Sequence, residues 1–495
     1  PAPRRGSKFV RCAHGVTRRQ IAYFTLNLGR PGVLLEKTER SLEDWLDHLE
    51  RLHPRGQAGI ELGLERVRQV SLALQQRQDC PVITVGGTNG KGSTCAMLER
   101  ILLAAGYRVG VYTSPHLLRY NERVRLNGAA ADDADFCAAF SRVEAARSSV
   151  PLTYFEFGTL AAWEMFAVAG LDAIILEVGL GGRLDATNIY DADCAIVATV
   201  GLDHMDYLGP TREHIGREKA GICRAGRPLI CGDAEPPQSL TETCRLASAD
   251  FWRIGRDFGF IKQNVGPPQV LLGPPGGGRS EAAAAGGAPM QEGQWQYWEK
   301  DGRKLGGLAF PALRGDCQLH NASCAIAALY ALHDRLPVAL QDIRRGLSEV
   351  AVAGRCQVLP GRPRVVLDVA HNPQATAALA ASISGMGFAR TTWAVFGMMA
   401  DKDIAGVITA IHHRIDRWLP CDLPGQRAAT AADLAEVIAK VGIGETAGQF
   451  SSPAAALAHA EEKAGDDDRI LVFGSFLTVA GVMRPDPVQP PGRKT

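Results

Sequence analysis

The residues best suited to chemistry lie in Val82-Ile-Thr-Val-Gly-Gly-Thr-Asn-Gly-Lys-Gly-Ser93, where an apolar run ends in glycines, a lysine and a hydroxyl. Gly87, Gly90 and Gly92 can take backbone conformations that aim successive N–H groups at phosphate oxygens. A helix starting beside them adds its positive end, and Lys91 adds a movable cation for β- and γ-phosphates. The spacing is one residue tighter than GxxxxGK[ST], and Gly92 separates Lys91 from Ser93. A glycine-rich turn with an incidental lysine is the competing reading. The strand–loop–helix setting favours an ATP site.

Three further segments place polar groups just past apolar runs. In Leu176-Glu-Val-Gly-Leu-Gly-Gly-Arg-Leu-Asp-Ala-Thr-Asn188, Glu177 stands where open α/β sheets put their ligands, and beside a phosphate loop it reads as a Mg²⁺ ligand. Gly201-Leu-Asp-His-Met-Asp206 brings His204, flanked by two carboxylates, to the same edge. Asp368 and His371 follow the run Val365–Leu367, with a capping Asp and a loop His before Pro373 as the alternative. Asn321 reads as a possible helix cap, and Lys219 in Gly216-Arg-Glu-Lys-Ala-Gly-Ile222 as a solvated helix charge.

Elements that must position these groups are legible in the hydrophobic pattern. Helical spacing runs from Ser41 to Leu49 and again from Leu62 to Leu74. Beyond residue 81, short buried strands (Val82–Val85, Arg108–Tyr112, Ala173–Leu176, Ala195–Val200) alternate with helices (Ser93–Ala105, Ala134–Ala146, Gly158–Ala169). The alternation predicts an α/β protein: a P-loop-containing, doubly wound central domain over 41–316, then a smaller Rossmann-like α/β domain over 317–484. Strands of that second block are expected at Arg364–Leu367, Thr392–Phe396, Arg417–Leu419 and Ile470–Phe473. Residues 1–40 read as a poorly ordered extension, the Gly/Pro/Ala-rich stretch 263–293 as a loose surface insertion, and 485–495 as a polar tail.

Composition narrows the class. With 54 basic and 53 acidic side chains, the chain has no field suited to nucleic acid or an anionic membrane. No apolar run approaches the ~20 residues of a spanning helix. The 12 cysteines are scattered without CxxC or zinc spacing, which points to reduced thiols in the cytoplasm. Balanced charge and the lack of a coiled-coil repeat make a monomer the expectation.

Taken in order, VGGTNGKGS, YTSPHL, LEVGLGGRLDATN, GLDHMDYLG, GREKAGI, DVAHNP and FGSFLTVA resemble the folylpolyglutamate synthase/dihydrofolate synthase family, relatives of the Mur ligases. The resemblance extends from about Ser41 to Met483 and is close to the bifunctional bacterial form. It implies an ATP-dependent ligase adding L-glutamate to dihydropteroate and to tetrahydrofolate through an acyl phosphate. By that resemblance Thr88, Asn89, Gly90, Lys91, Gly92 and Ser93 hold the ATP phosphates, while Asn321, Arg355 and Asp368 reach the nucleotide from the second domain, with His371 beside them as a catalytic group. Ser114, Glu177 and His204 are implied as Mg²⁺ ligands. Lys219 matches a lysine carried as a carbamate. The pterin acceptor is implied at Leu62, Gly63, Leu64 and Glu65, at Thr153, Tyr154, Phe155 and Glu156, and at Leu184, Asp185 and Ala186.

Departures from the family pattern are Cys356, where an aromatic residue is expected, and a longer approach, PRGQA, to Gly59-Ile-Glu-Leu62. The alternatives are a polyglutamate synthase alone, a Mur-type ligase acting on a UDP-linked muramyl acceptor, and a non-catalytic ATP-binding switch.

Overall fold

Val82–Gly86 (β1) is buried at every position, as a central parallel strand covered on both faces must be. The structure, a computed structural model, describes residues 40–54, 60–77, 79–262, 293–442 and 445–483. Apart from Arg40 and Gly293, the expected extension, insertion and tail lie outside the described residues, as does most of PRGQA.

Around β1 run Val109–Tyr112 (β2), Val124–Leu126 (β3), Ala129–Ala130 (β4), Ala173–Glu177 (β5), Cys194–Val197 (β6), Pro228–Cys231 (β7) and Asp250–Arg253 (β8), in the order β4-β3-β2-β5-β1-β6-β7-β8. From β2 to β8 across the sheet every neighbouring pair is parallel, and β3 and β4 form an antiparallel edge. Register decides what surrounds the phosphate loop. Val85 pairs with Glu177 and Gly86 with Val197, so the loop after β1 is flanked by the ends of β5 and β6.

Helices Leu42–Leu52 (α1), Glu65–Leu74 (α2), Lys91–Ala104 (α3), Asp133–Arg147 (α4) and Tyr154–Val168 (α5) precede Met205–Leu208 (α6), Arg212–Ala220 (α7) and Gln238–Leu246 (α8). α1, α2, α4 and α5 cover one face of the sheet through a core containing Trp45, Val67, Phe140 and Phe157. α5 begins four residues earlier than its apolar periodicity predicts, because Thr153 caps it: its Oγ1 accepts the Glu156 N–H at 3.2 Å, and Glu156 accepts the Thr153 N–H at 2.8 Å.

A three-stranded antiparallel sheet, Phe258–Lys262 (β9), Gln294–Glu299 (β10) and Lys304–Ala309 (β11), is absent from the sequence-based expectation. Trp295, Tyr297 and Trp298 anchor it, each essentially fully buried. Burial of large apolar side chains at roughly 1.5–3 kcal/mol each stabilises so small a sheet.

The expected boundary at residue 317 does not match the packing. Cys317–Ala331 (α9) and Leu340–Glu349 (α10) share one core with α3, β1 and β9, so both cover the first sheet. They are apolar on the faces turned to α3, and that contact, invisible in linear order, decides where they belong. The second sheet starts at Gln357–Leu359 (β12) and continues with Arg364–Leu367 (β13), Thr392–Phe396 (β14), Arg417–Pro420 (β15), Glu445–Thr446 (β16) and Arg469–Phe473 (β17). Its order is β12-β13-β17-β14-β15-β16, parallel except for β12. Pro373–Ser384 (α11), Ile404–Ile411 (α12), Ala431–Val441 (α13), Pro453–Lys463 (α14) and Phe476–Ala480 (α15) complete it. Among the described residues no helix is long and apolar enough to cross a membrane.

Candidate active site

The loop between β1 and α3 has the conformation its glycines allow. Gly87 (φ 144°) and Gly90 (φ 86°) both occupy backbone that side chains disfavour, and Gly90 is the residue from which α3 starts. The loop is braced from behind. Thr88 N–H donates to Thr199 O at 2.8 Å, and Asn89 N–H donates to Thr199 Oγ1 at 3.0 Å. Lys91 Nζ folds back to donate to Gly87 O at 3.0 Å and Thr88 O at 3.3 Å, curling over the cradle that it would leave to meet phosphate. A Cβ on Gly92 would stand 3.7 Å from Arg355 Nη2 and 3.8 Å from Glu177 Oε1, so cation, carboxylate and loop converge there.

These groups line a cavity of about 310 Å³ that also receives Ser114, His204, Lys219, His371 and Phe476. Glu177 is only 4% exposed and accepts the Ser114 N–H at 3.2 Å. Burial raises its pKa, opposed by Lys91 and Arg355. His204 sits in a left-handed turn (φ 49°), with burial bringing its imidazole down to about 4, so it is neutral near pH 7. Lys219 is almost fully buried, not solvated as its helix pattern suggests, and burial with Lys91 nearby lowers its ammonium to about 7.

A buried carboxylate, a serine and a neutral imidazole at the mouth of a phosphate loop suit a hard divalent cation. Mg²⁺ takes one or two protein oxygens and leaves its other positions to water and phosphate. Among the described residues no group of three His, Cys, Asp or Glu side chains has metal-ligand spacing, so the fit depends on phosphate completing the shell.

A second cavity, of about 360 Å³, opens on the other side of Arg355 and is lined by Asn321, Asp368, Cys317 and Ala375, among others. Asn321 is not a cap. It lies in the second turn of α9, presses against Gly90, and donates from Nδ2 to Gln318 Oε1 at 2.9 Å. Nor does Asp368 cap α11. Asn372 does, accepting the Ala375 N–H at 2.9 Å. Asp368 accepts the backbone N–H groups of Cys356 and Ala370, both at 2.8 Å, and so fixes the turn that carries Arg355. The Arg355 guanidinium lies 5.6 Å from the Phe476 ring centre, an aromatic partner from α15.

The three expected acceptor segments meet beside the first cavity. Gly63 N–H donates to Leu184 O at 3.3 Å, and Arg66 links the start of α2 to Glu156 at 3.0 Å. Phe155 lies flat against Gly179, where a Cβ would come within 2.6 Å of the ring. Asp185 is fully buried, accepting Leu180 N–H at 2.8 Å and Thr187 Oγ1–H at 2.6 Å. Tyr154 is half-buried, with its hydroxyl raised to about 12 by burial. Leu62 and Leu180 pack, partly buried, on the same core, Leu64 is buried in the core that α1 and α2 cover, and Glu65 Oε2 accepts the Leu64 N–H at 3.2 Å. Ala186 starts the turn that Asp185 caps.

Several polar contacts at the site escaped the sequence reading: Thr199, Asn372, Gln374 and Lys402. Lys402 stands in the loop between β14 and α12, not directly at a strand end as Asp368 does after β13, so the strand-end rule that singled out Asp368 does not reach it.

Fold and site together define an ATP-dependent ligase built from Mur ligase domains. The Mur ligase middle domain matches residues 85–243, and the Mur ligase glutamate ligase domain matches residues 354–476. The dihydrofolate synthase/folylpolyglutamate synthase of Escherichia coli K12 is 42% identical over 443 residues, covering 89% of this chain and 94% of the relative. That of Haemophilus influenzae is 36% identical over 465 residues, covering 90% and 97%. Among solved structures, E. coli FolC in complex with DHPP and ADP superposes with a TM-score of 0.78 at 41% identity, covering 90% of this chain and 97% of that one. The Yersinia pestis bifunctional enzyme complexed with AMPPNP and Mn ion gives 0.76 at 42%, covering 90% and 97%. This chain belongs to the dihydrofolate synthase/folylpolyglutamate synthase family.

Proposed function

We propose that the chain is an ATP-dependent ligase that joins L-glutamate to dihydropteroate, forming dihydrofolate, and to tetrahydrofolate, forming folylpolyglutamates. The observation that carries this reading is the first cavity, where phosphate loop, Glu177, His204 and Lys219 face residues of the second sheet domain. The acceptor carboxylate attacks the γ-phosphorus of ATP, the bond to the β–γ bridging oxygen breaks, and an acyl phosphate and ADP form. The glutamate amine then attacks the acyl carbon, the carbon–oxygen bond to phosphate breaks, and amide, phosphate and a proton remain.

Each residue has a place in that scheme. Gly87 to Ser93 cradle the phosphates, and Lys91 swings from its backbone carbonyls onto the transferring group. Ser114, Glu177 and His204 would hold a divalent cation, which would supply charge neutralisation between the anions. Lys219, with its ammonium down at about 7, offers enough free amine to take up carbon dioxide as a carbamate. Asn321, Arg355 and Asp368 shape the second cavity for the base and ribose. His371, whose Nδ1 is anchored on Val369 O at 2.9 Å, lines the first cavity with Nε2 held 3.5 Å from Asp203 Oδ2, a pair that can receive the proton shed by the amine. Leu62–Glu65, Thr153–Glu156 and Leu184–Ala186 hold the pterin end. Holding three reactants in line can itself supply ~7–11 kcal/mol of the barrier.

The site is complete within one chain, which fits a monomer. The cysteines described are free thiols, which fits the cytoplasm. Phosphate release with Mg-ATP and L-glutamate, compared across dihydropteroate, tetrahydrofolate and a UDP-muramyl acceptor, tests the reading, with Lys91→Ala as the control. Turnover with both pterin acceptors is expected. Turnover with tetrahydrofolate alone reduces the chain to a polyglutamate synthase, and release without any acceptor dependence removes the ligase.

A further inference from the structure

One carboxylate, Asp203, gathers more partners from across the molecule than any role in the scheme above requires. It stands in the loop between β6 and α6, in the first domain, and its side chain is 9% exposed. Oδ1 accepts Lys402 Nζ at 2.6 Å and the His204 N–H at 2.9 Å. Oδ2 accepts Asn372 Nδ2 at 3.2 Å and lies 3.5 Å from His371 Nε2. Lys402, Asn372 and His371 all belong to the second domain.

The same residues reach the phosphate loop. Asn372 Nδ2 donates to Asn89 Oδ1 at 3.0 Å, and Asn89 Nδ2 donates to Gln374 Oε1 at 3.0 Å. Lys402 Nζ is 3.5 Å from His204 Nε2 and faces the first cavity, with its side chain only 11% exposed. A charge pair this enclosed is costly to form and more costly to half-break, because the partner left behind is buried without compensation. Such a pair is weak evidence for stability and better evidence for a geometry that must be held.

We infer that the Asp203–Lys402 pair is an interdomain latch, and that Lys402 is a positioning residue that keeps the two domains closed while the acyl phosphate waits for glutamate. The inference rests on the ligase reading proposed above. Through Asp203, Lys402 orients His204 in its left-handed turn, and through Asn372 the latch extends to the phosphate loop. With the latch broken, the cleft admits water. Water then attacks the acyl phosphate in place of the amine, returning the free carboxylate and phosphate, so that ATP is consumed without amide.

The test is the ratio of phosphate released to amide formed by full-length Lys402→Met and Lys402→Arg, with ADP affinity measured alongside. Wild type is expected to give one phosphate per amide. Lys402→Met is expected to raise that ratio at least threefold and to lower the kcat for amide formation, with the Kd for ADP within twofold of wild type. Lys402→Arg is expected to bring the ratio most of the way back, and Arg427→Ala, on the neighbouring exposed Asp401 pair, to leave it at one. Should Lys402→Met fail to fold, Lys402→Gln reads the same ratio. An unchanged ratio in the folded variant overturns the latch, whatever happens to kcat. Absence of acceptor-dependent release in wild type strikes the ligase reading instead, so the two failures are told apart.

Discussion

Glu177 and Lys219 show how environment, not residue type, makes chemistry at a single position. Glu177 is a strand-end carboxylate by sequence. The parallel register Val85↔Glu177 puts it against the loop and burial leaves it needing a cation. Glu177→Gln is expected to lower turnover at least about 10–100-fold, the range seen when a residue that merely supports a metal ligand is lost. Wild-type turnover in Glu177→Gln, with an unchanged requirement for Mg²⁺ or Mn²⁺, would remove Glu177 from the metal. Lys219 gives a pH prediction. Its ammonium titrates at about 7 in the fold against 10.5 as the ordinary value, so between those limits the unfolded chain binds more protons. Stability from this group therefore rises as pH goes from 7 to 10.5. In buffer freed of carbon dioxide, Lys219→Met should flatten that slope in urea midpoints taken across the range, and an unaltered slope would contradict the assignment.

The strand–loop–helix unit and the capped start of α5 carry the predictions that belong to elements. Gly90 combines a positive φ with direct contact on Asn321, so a side chain meets both strain and steric clash there. Gly90→Ala should weaken ATP binding strongly while leaving the far-UV spectrum unchanged. Isothermal titration with ADP checks it, and wild-type affinity would mean the loop tolerates what its geometry forbids. At α5, Thr153→Ala removes one half of a reciprocal cap and loosens the turn bearing Tyr154 and Phe155. A loss of about 0.5–2 kcal/mol is expected in urea unfolding, the usual range for an N-cap. A higher KM for the pterin acceptor, with KM for ATP unchanged, should accompany it.

At the scale of the whole molecule, Asn89 of the phosphate loop and Asn372 of the second domain bond each other reciprocally, at 3.2 and 3.0 Å, and closure on the nucleotide is expected to use that contact. Removing either side chain should cost stability and nucleotide affinity, and removing both should cost less than the sum. Residues in direct contact typically show coupling of about 0.5–3 kcal/mol. A double-mutant cycle with Asn89→Ala and Asn372→Ala, read by unfolding in the presence of ADP, measures it. Strict additivity would show that the two asparagines are neighbours without a shared task.

What the sequence by itself determined is local: β1 and the glycine loop, the strands at 173, 364 and 392, and the strand-end positions of Glu177, His204 and Asp368. Those follow from short buried runs and turn residues, whose periods and backbone preferences act within a few residues. In the small sheet β9–β11, β9 is separated from β10 by a long stretch of sequence and pairs with it only in space, whereas β10 and β11 form a hairpin through Lys300-Asp-Gly-Arg303 whose Asp-Gly turn signal was passed over. Only tertiary structure put α9 and α10 on the first domain, since an apolar helix face does not name its partner. Lys219 turned from a surface charge into a buried amine for the same reason, and Lys402 came to Asp203 across 199 positions of sequence. Burial and long-range pairing are properties of the assembled chain: the desolvation that shifts a pKa, and the partner that answers it, exist only once the two sheets stand together.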